Sequence, residues 1–242
     1  MMIKAPEKFT EFDFFMDEDV RARRIGILCV EKRLTPALTQ ALFRVRENAQ
    51  SFHAKRIQSD VSKTEEQRAI ELGSVSKQIR EVKWSSINLM RSFIAQEFIE
   101  QYFHYWNKGP LPIMFFNFPF IDDHLSSINN FFEKLGSLNI DALKDLHCSE
   151  SVFFLDYFST ATGYKFEEKV RDSNNLSRCY RIDSRAHDLM QLTDLLLGIT
   201  TYIKTGKHTG SRAKLSLVNK FNYFQKSYNN KKTHSLQSVY QL

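Results

Sequence analysis

The sequence predicts a mixed α/β fold whose sheet has an antiparallel N-terminal part. Two short apolar segments lie near the start of the 242-residue chain, and later apolar segments are separated by helical ones. Strands joined by a short connection pair antiparallel, whereas strands that alternate with helices are typical of parallel neighbours. A hydrophobic content of 42% is sufficient for a substantial core.

The first strand is predicted at residues 12–17, an aromatic-rich run that delivers two acids at its end. The second strand is predicted at 25–30, close enough to pair antiparallel with the first. Thr35-Pro36 then favours a helix start, because proline suits the first helical position. The charged segment 54–80 is predicted to be an exposed helical insertion.

Further strands are predicted at 111–116 and 152–155, with a short one at 178–182. Amphipathic helices are predicted between them, because apolar residues recur at helical spacing. Asp122 or Asp123 caps one of these helices. The last helix of this part carries Asp194 within one of the most apolar runs of the chain.

Four acids stand at informative positions. Asp17 and Asp156 each end an apolar strand, and Glu81 stands where the charged segment ends. Asp194 lies on the narrow polar stripe of its helix. Carboxylates gathered without basic partners repel one another unless a divalent cation neutralises them. The alternative is that these acids are ordinary caps and solvated residues.

Mg²⁺ and Mn²⁺ prefer hard oxygen ligands such as these carboxylates. A pair of such ions can activate a water molecule and stabilise the leaving oxygen in phosphodiester cleavage. A metal-dependent nuclease is therefore the leading hypothesis.

Short segments along the chain carry a family resemblance. Asp17-Glu18 follows an aromatic strand, residues 81–84 read Glu-Val-Lys-Trp, and 154–156 read Phe-Leu-Asp. Asp183-Ser184 and the run 191–198, Gln-Leu-Thr-Asp-Leu-Leu-Leu-Gly, follow in that order. Together they resemble the motifs of the domain-of-unknown-function 3800 family, a ribonuclease-H-like family. The sequence departs from this family at 19–20, where Asp-Val replaces Ser-Gly, and at Thr193, which replaces Ala.

The resemblance implies a ribonuclease-H-like fold over residues 1–203 and a metal-dependent nuclease activity, with phage defence or a mobile element as the expected context. The residues that it implies as catalytic and as ligands of Mg²⁺ or Mn²⁺ are Asp17, Glu81, Asp156 and Asp194, with Glu18 as a further ligand. The residues expected to contact phosphate or to orient these ligands are Lys83, Asp183 and Gln191.

Residues 204–242 are predicted to form a basic, aromatic C-terminal extension. The whole chain carries +6, and this segment contributes eight positive charges and no negative ones, so the preceding residues carry −2. Cations attract phosphates and aromatic faces stack on unpaired bases, which indicates a nucleic-acid partner. The residues expected to bind it are Lys214, Lys220, Phe221, Tyr223, Phe224, Lys226, Tyr228, Lys231 and Lys232. The alternative is a helix with Phe221 and Phe224 packed on the body.

Other classes receive less support. The sequence contains no glycine-rich phosphate loop, no serine nucleophile elbow and no apolar run of the ~20 residues that span a bilayer, so we expect a cytoplasmic protein without membrane contact. One alternative is a catalytically silent nucleic-acid-binding or scaffold subunit that acts with a partner protein. A third hypothesis is a metal-independent ribonuclease that uses Arg181 and His187.

Overall fold

The computed structural model describes residues 11–107, 113–137, 148–157, 165–206, 211–229 and 239–241. The strands in these ranges are β1 (Phe12–Asp19), β2 (Arg24–Glu31), β3 (Ile113–Pro119), β4 (Val152–Asp156), β5 (Arg178–Ile182) and β6 (Val239–Gln241). The α-helices are α1 (Thr35–Gln58), α2 (Glu65–Arg80), α3 (Leu89–Trp106), α4 (His124–Ser137), α5 (Phe166–Ser173), α6 (Asp188–Thr205) and α7 (Arg212–Asn229).

The strands form one mixed sheet in the order β5-β4-β1-β2-β3-β6. β1 pairs antiparallel with β2, and β2 pairs antiparallel with β3. β4 runs parallel to β1, β5 runs parallel to β4, and β6 runs parallel to β3. The predicted α/β class and its antiparallel N-terminal strands are confirmed.

Helices cover both faces of the sheet. Successive strand residues point to opposite sides, and apolar residues in both sets give each face an apolar surface to cover. Phe15 and Leu28 face a core shared with α1, α3, α6 and α7. Phe14 and Ile27 face a second core, which includes residues of α4 and α5. The sheet is therefore apolar on both faces, and its polar residues gather at strand ends.

Helix α6 lies directly against β1 and β2. Most of its residues are buried, in agreement with its apolar composition. Gly26 of β2 allows this close approach, because a Cβ there would lie 3.0 Å from the Leu197 Cβ and 2.9 Å from the Phe115 ring. This packing brings the polar stripe of α6 to the end of β1.

The segment 54–80 is helical, but it begins inside α1, which continues to Gln58. Helix α2 then packs against α1. Ile57, Val75 and Ile79 are buried in the larger core. The apolar side of this segment is therefore part of the body, and its charged side faces solvent.

None of the described helices is both long and apolar enough to cross a membrane. The predicted strand at 111–116 is found from Ile113 onward, and residues 111–112 lie outside the described ranges. Asp123 is the acid that begins α4, since its Oδ1 accepts a hydrogen bond from the Ser126 N–H at 2.8 Å.

Candidate acidic site

The parallel pairing of β1 and β4 brings two of the predicted acids to one edge of the sheet. Met16 lies opposite Leu155 in this pairing, and the next residue of each strand is Asp17 or Asp156. Asp17 shares a strand face with Phe15, which packs on the α6 side. Asp194 of α6 interacts electrostatically with Asp17 and Asp156. The fold therefore gathers three predicted acids.

Asp17 is the most constrained of the three, with only 6% of the residue exposed. Its Oδ1 accepts a hydrogen bond from the Glu18 N–H at 2.8 Å. Its buried Oδ2 has no donor among the described residues. Burial, followed by the charges of Asp194 and Asp156, raises the pKa of Asp17 well above its ordinary value. The group needs a proton or a cation to relieve this environment.

Asp194 faces the same acid from α6. Burial raises its pKa to about 6, while the hydrogen bond that its Oδ2 accepts from the Trp84 N–H and the Lys83 charge oppose this effect. Two carboxylates are both acceptors, so Asp17 and Asp194 can hydrogen-bond to each other only when one of them is protonated. The pair is therefore set to take up either a proton or a cation.

Asp156 is better satisfied than the other two acids. Its Oδ1 accepts hydrogen bonds from the backbone N–H groups of Tyr157 at 2.8 Å and Ser184 at 3.2 Å. Its Oδ2 lies 3.5 Å from the Lys83 Nζ. Burial alone would lower the pKa of Lys83, but the nearby acids, Asp156 foremost, raise it overall. Lys83 thus supplies the counter-charge of this cluster.

These residues line an open cavity of about 840 Å³ at the carboxyl ends of β1 and β4. Asp17, Lys83, Asp156 and Asp194 all contribute to its surface. The Lys214 Nζ lies 4.8 Å from the centre of the Trp84 ring, and both residues also line the cavity. Burial lowers the pKa of Lys214, against the opposing charges of Asp194 and Asp19.

Two contacts hold the segment that carries Lys83 onto α6. The fully buried Gln191 accepts a hydrogen bond from the Val82 N–H at 2.6 Å and donates to the Ser184 carbonyl at 3.0 Å. Gly198 leaves space for the Trp84 ring, since a Cβ there would lie 2.1 Å from the Trp84 Cγ. Gln191 therefore joins the segment before Lys83 to the turn that precedes α6.

Three other predicted residues point elsewhere. The Glu18 carboxylate lies 2.6 Å from the His124 Nε2 of α4, on the opposite face of the sheet from Asp17. Glu81 lies outside the cavity lining and has a carboxylate oxygen 3.8 Å from the Arg185 Nε. Asp183 accepts a hydrogen bond from the Arg185 N–H at 2.9 Å. Glu18 belongs to the cavity lining, but its carboxylate pairs with His124. The predicted ligand roles of Glu18 and Glu81 are therefore corrected, because neither carboxylate joins those of Asp17, Asp156 and Asp194.

No group of three or more His, Cys, Asp or Glu side chains in the described ranges is already arranged to hold a metal ion. One Asp156 oxygen is turned to backbone N–H groups and the other to Lys83. Asp17 and Asp194 nevertheless offer hard oxygen donors, one of them without a partner among the described residues. Their donor chemistry fits a divalent cation.

The C-terminal extension is corrected for two of its aromatics. Phe221 and Phe224 are buried, and their ring centres lie 5.2 and 5.7 Å from that of Phe103. They pack α7 onto α3 and leave no free face for a base. Tyr223 stays 63% exposed. The remaining tail predictions stand as follows: Lys220 lies over the Phe224 ring, Lys226 is exposed, and the Tyr228 side chain, Lys231 and Lys232 lie outside the described residues.

The geometry does not support the hypothesis of a metal-independent ribonuclease. Arg181 pairs with Glu167 of α5 on one face of the sheet. His187 lies beside the stacked rings of Phe15 and Phe154 on the other face. Burial lowers the pKa of His187. The two side chains therefore cannot act on one substrate.

Two residues of the cavity were missed by the sequence reasoning. Trp84 belongs to the Glu-Val-Lys-Trp segment, but no role was assigned to it. Tyr157 follows Asp156 directly, so an aromatic residue beside a candidate ligand was the signal that could have indicated it.

Comparison with known proteins finds no matching family model, no significantly similar curated protein and no significantly similar solved structure.

Proposed function

We propose that this chain is a divalent-metal-dependent nuclease that hydrolyses phosphodiester bonds of nucleic acid. The observation that carries the proposal is the buried Asp17 carboxylate, whose Oδ2 has no donor among the described residues and whose neighbours include Asp194 and Asp156. Acids held together against their own repulsion are typical of sites that bind cations. Their mutual repulsion also destabilises the folded protein when no cation is bound, and a solely structural role does not explain this cost.

Asp17 and Asp194 would hold Mg²⁺ or Mn²⁺, with Asp156 joining when it releases Lys83. When bound, such an ion supplies Lewis-acid polarisation of a phosphoryl oxygen and a more acidic water ligand. The backbone N–H groups of Tyr157 and Ser184 orient the Asp156 side chain, because they fix one of its carboxylate oxygens.

Lys83 and Lys214 would act on the substrate. Both line the cavity, and each feels the charge of Asp194. An ammonium group is a compact positive charge that can contact a phosphate oxygen. Lys83 would turn from Asp156 to the phosphate once a metal ion neutralises the acids.

The ribonuclease-H-like form of the fold and membership of the domain-of-unknown-function 3800 family are part of the same proposal, as is a context in phage defence or a mobile element. The mixed sheet with antiparallel N-terminal strands supports it. Asp17, Asp156 and Asp194, which are among the residues of the resemblance, line one cavity, although the carboxylates of Glu81 and Glu18 do not join theirs.

Incubation with labelled RNA, single-stranded DNA and an RNA/DNA hybrid in Mn²⁺ tests the activity. We expect cleavage that is lost in EDTA and in the Asp17→Asn and Asp194→Asn variants. Glu18→Gln is the matched control, because Glu18 lines the same cavity but its carboxylate pairs with His124 and should be dispensable. Cleavage that persists in EDTA and in both aspartate variants would refute the proposal.

The second candidate is a catalytically silent nucleic-acid-binding subunit that acts with a partner protein. The pairing of Asp156 with Lys83 favours it, because an internal cation already balances part of the acidic charge. This candidate predicts salt-dependent binding without turnover, and binding that survives Asp194→Asn. Robust cleavage by the purified chain would exclude it.

A further inference from the structure

The acids of the cavity are recessed below the protein surface. Asp17 is 6% exposed, and the side chains of Asp156 and Lys83 are 18% and 23% exposed. A phosphodiester must therefore enter the cavity to reach them. Paired strands hold their phosphates on a broad, stiff duplex, whereas an unpaired strand can bend into a cleft. Enzymes that act on a base within a duplex meet a similar constraint and use single strands or extruded nucleotides.

An exposed aromatic ring stands at the mouth of this cavity. Tyr157 is 71% exposed and lines the cavity. Its N–H donates to the Asp156 Oδ1 at 2.8 Å, so its backbone is fixed relative to an acid of the site. Within the described ranges its ring contacts no other aromatic ring. A free aromatic face of this kind is suited to stack on an unpaired base, whatever the base.

We infer that the cavity takes an unpaired nucleic-acid strand, with one base stacked on Tyr157 and the adjacent phosphate directed toward Asp17, Asp156 and Asp194. This inference names the substrate class of the site, and it rests on the proposed function for its choice of a phosphodiester. Lys214 and Arg21 line the walls and supply positive charge for the phosphates on either side.

The charge of the cavity distinguishes nucleic-acid binding in the cavity from binding to the C-terminal extension. Five acids line the cavity, Asp17, Glu18, Asp19, Asp156 and Asp194, against three cations, Arg21, Lys83 and Lys214. A phosphate near the acids is repelled until a divalent cation neutralises them, so binding in the cavity strengthens with that cation. Binding to exposed lysines such as Lys226 weakens instead, because added ions screen it.

The test is fluorescence anisotropy with end-labelled oligonucleotides of about 12 nucleotides, a length within the span that single-strand sites cover. Single-stranded DNA, single-stranded RNA and a blunt duplex are titrated in Ca²⁺, as a probe cation, and in EDTA. We expect both single strands to bind more tightly than the duplex, and more tightly in Ca²⁺. Tyr157→Ala should weaken single-strand binding about fivefold or more, since stacking supplies that much per base, whereas Tyr157→Phe should keep it.

Phe93→Ala is the matched control, because Phe93 is similarly exposed but lies on α3 outside the cavity lining, whereas Tyr223→Ala reports binding to the C-terminal extension. Equal affinity for the duplex, unchanged binding by Tyr157→Ala, or a loss in Tyr223→Ala alone would overturn the inference. The expected binding pattern without any cleavage in Mn²⁺ would contradict the nuclease proposal and leave the strand preference supported. Cleavage of duplex and single strands alike, unaffected by Tyr157→Ala, would support the nuclease proposal and contradict the strand preference.

Discussion

The Trp84 ring lies against the backbone of Gly198 so closely that a Cβ at residue 198 would be 2.1 Å from the Trp84 Cγ. One turn earlier on the same helix, the Asp194 Oδ2 accepts a hydrogen bond from the Trp84 N–H. These two contacts fix the segment that carries Lys83 above the acids. The geometry of the cavity therefore depends on a position without a side chain.

Gly198→Ala should disrupt the site by forcing the Trp84 ring away from α6. Overpacking of this kind costs about 1–3 kcal/mol. We expect a lower melting temperature, a change in tryptophan fluorescence and loss of Mn²⁺-dependent cleavage. Thermal denaturation followed by fluorescence measures the first two effects.

Gly73→Ala is the control for this substitution. Gly73 lies inside α2, and a Cβ there would meet no atom within 4 Å. Alanine should therefore stabilise the helix by about 0.5–1 kcal/mol, because glycine is unfavourable in helix interiors. Equal effects of the two substitutions would contradict the proposed contact.

The stability of the protein should fall as pH rises through the acidic range. The pKa of Asp194 is raised from 3.8 to about 6, and the pKa of Asp17 is also raised. Between pH 4 and 6, roughly, the folded protein therefore keeps protons that the unfolded chain has released, and the free energy of unfolding decreases. Urea denaturation at a series of pH values measures this slope.

Asp17→Asn should raise stability at pH 7 and reduce that slope. The amide removes the buried negative charge but keeps an oxygen that can accept the Glu18 N–H. We expect a higher melting temperature, because the folded state no longer carries this buried charge; each kcal/mol gained corresponds to about 2–4 °C for a chain of this size. Mn²⁺ should raise the melting temperature of the unsubstituted protein but not that of Asp17→Asn. A rise in the variant without a rise in the unsubstituted protein would contradict a cation site at Asp17.

Lys83→Met should separate metal binding from cleavage. Removing the ammonium beside Asp156 leaves the acids without their counter-charge, so the melting temperature in EDTA should fall and Mn²⁺ affinity should rise several-fold. Cleavage should nevertheless decrease, because Lys83 no longer reaches the phosphate. Calorimetric titration and a cleavage assay measure the two effects.

The control is Lys63→Met. Lys63 is also ion-paired, with Asp60 and Glu71, but it lies between α1 and α2 and outside the cavity lining. Its replacement should change neither Mn²⁺ affinity nor cleavage. A fall in Mn²⁺ affinity in Lys83→Met would show that the lysine does not compete with the metal ion.

Gln191→Ala should destabilise the protein by about 1–3 kcal/mol, because the buried Val82 N–H and Ser184 carbonyl lose their partner. Gln96→Ala is the comparison, since Gln96 makes a weak contact of 3.4 Å with Ser216 at the surface. We expect less than about 0.5 kcal/mol there. Chemical denaturation distinguishes the two; equal costs would mean that Gln191 does not hold the 80–82 segment.

Local patterns predicted the strands and the meeting of Asp17 with Asp156. Apolar runs that end in acids mark strand ends, and neighbouring parallel strands bring such ends together. Alternation along β1 could also have separated Glu18 from Asp17, because adjacent strand residues point to opposite faces.

Other features depend on packing between distant elements. Glu81 directly follows α2, where no periodicity sets the direction of its side chain. Phe221 and Phe224 share one helix face, and only the contact of α7 with α3 decides that this face is buried. The counter-charge from Lys83 likewise requires two chain segments to meet. Sequence alone could list these residues but could not place them.

The most direct measurement is the anomalous diffraction of crystals soaked in Mn²⁺. We predict an anomalous peak between the carboxylates of Asp17 and Asp194, with Asp156 turned toward it and Lys83 displaced, and no such peak in crystals of Asp17→Asn. Absence of Mn²⁺ from this cavity in a protein that still cleaves nucleic acid would contradict the proposed site.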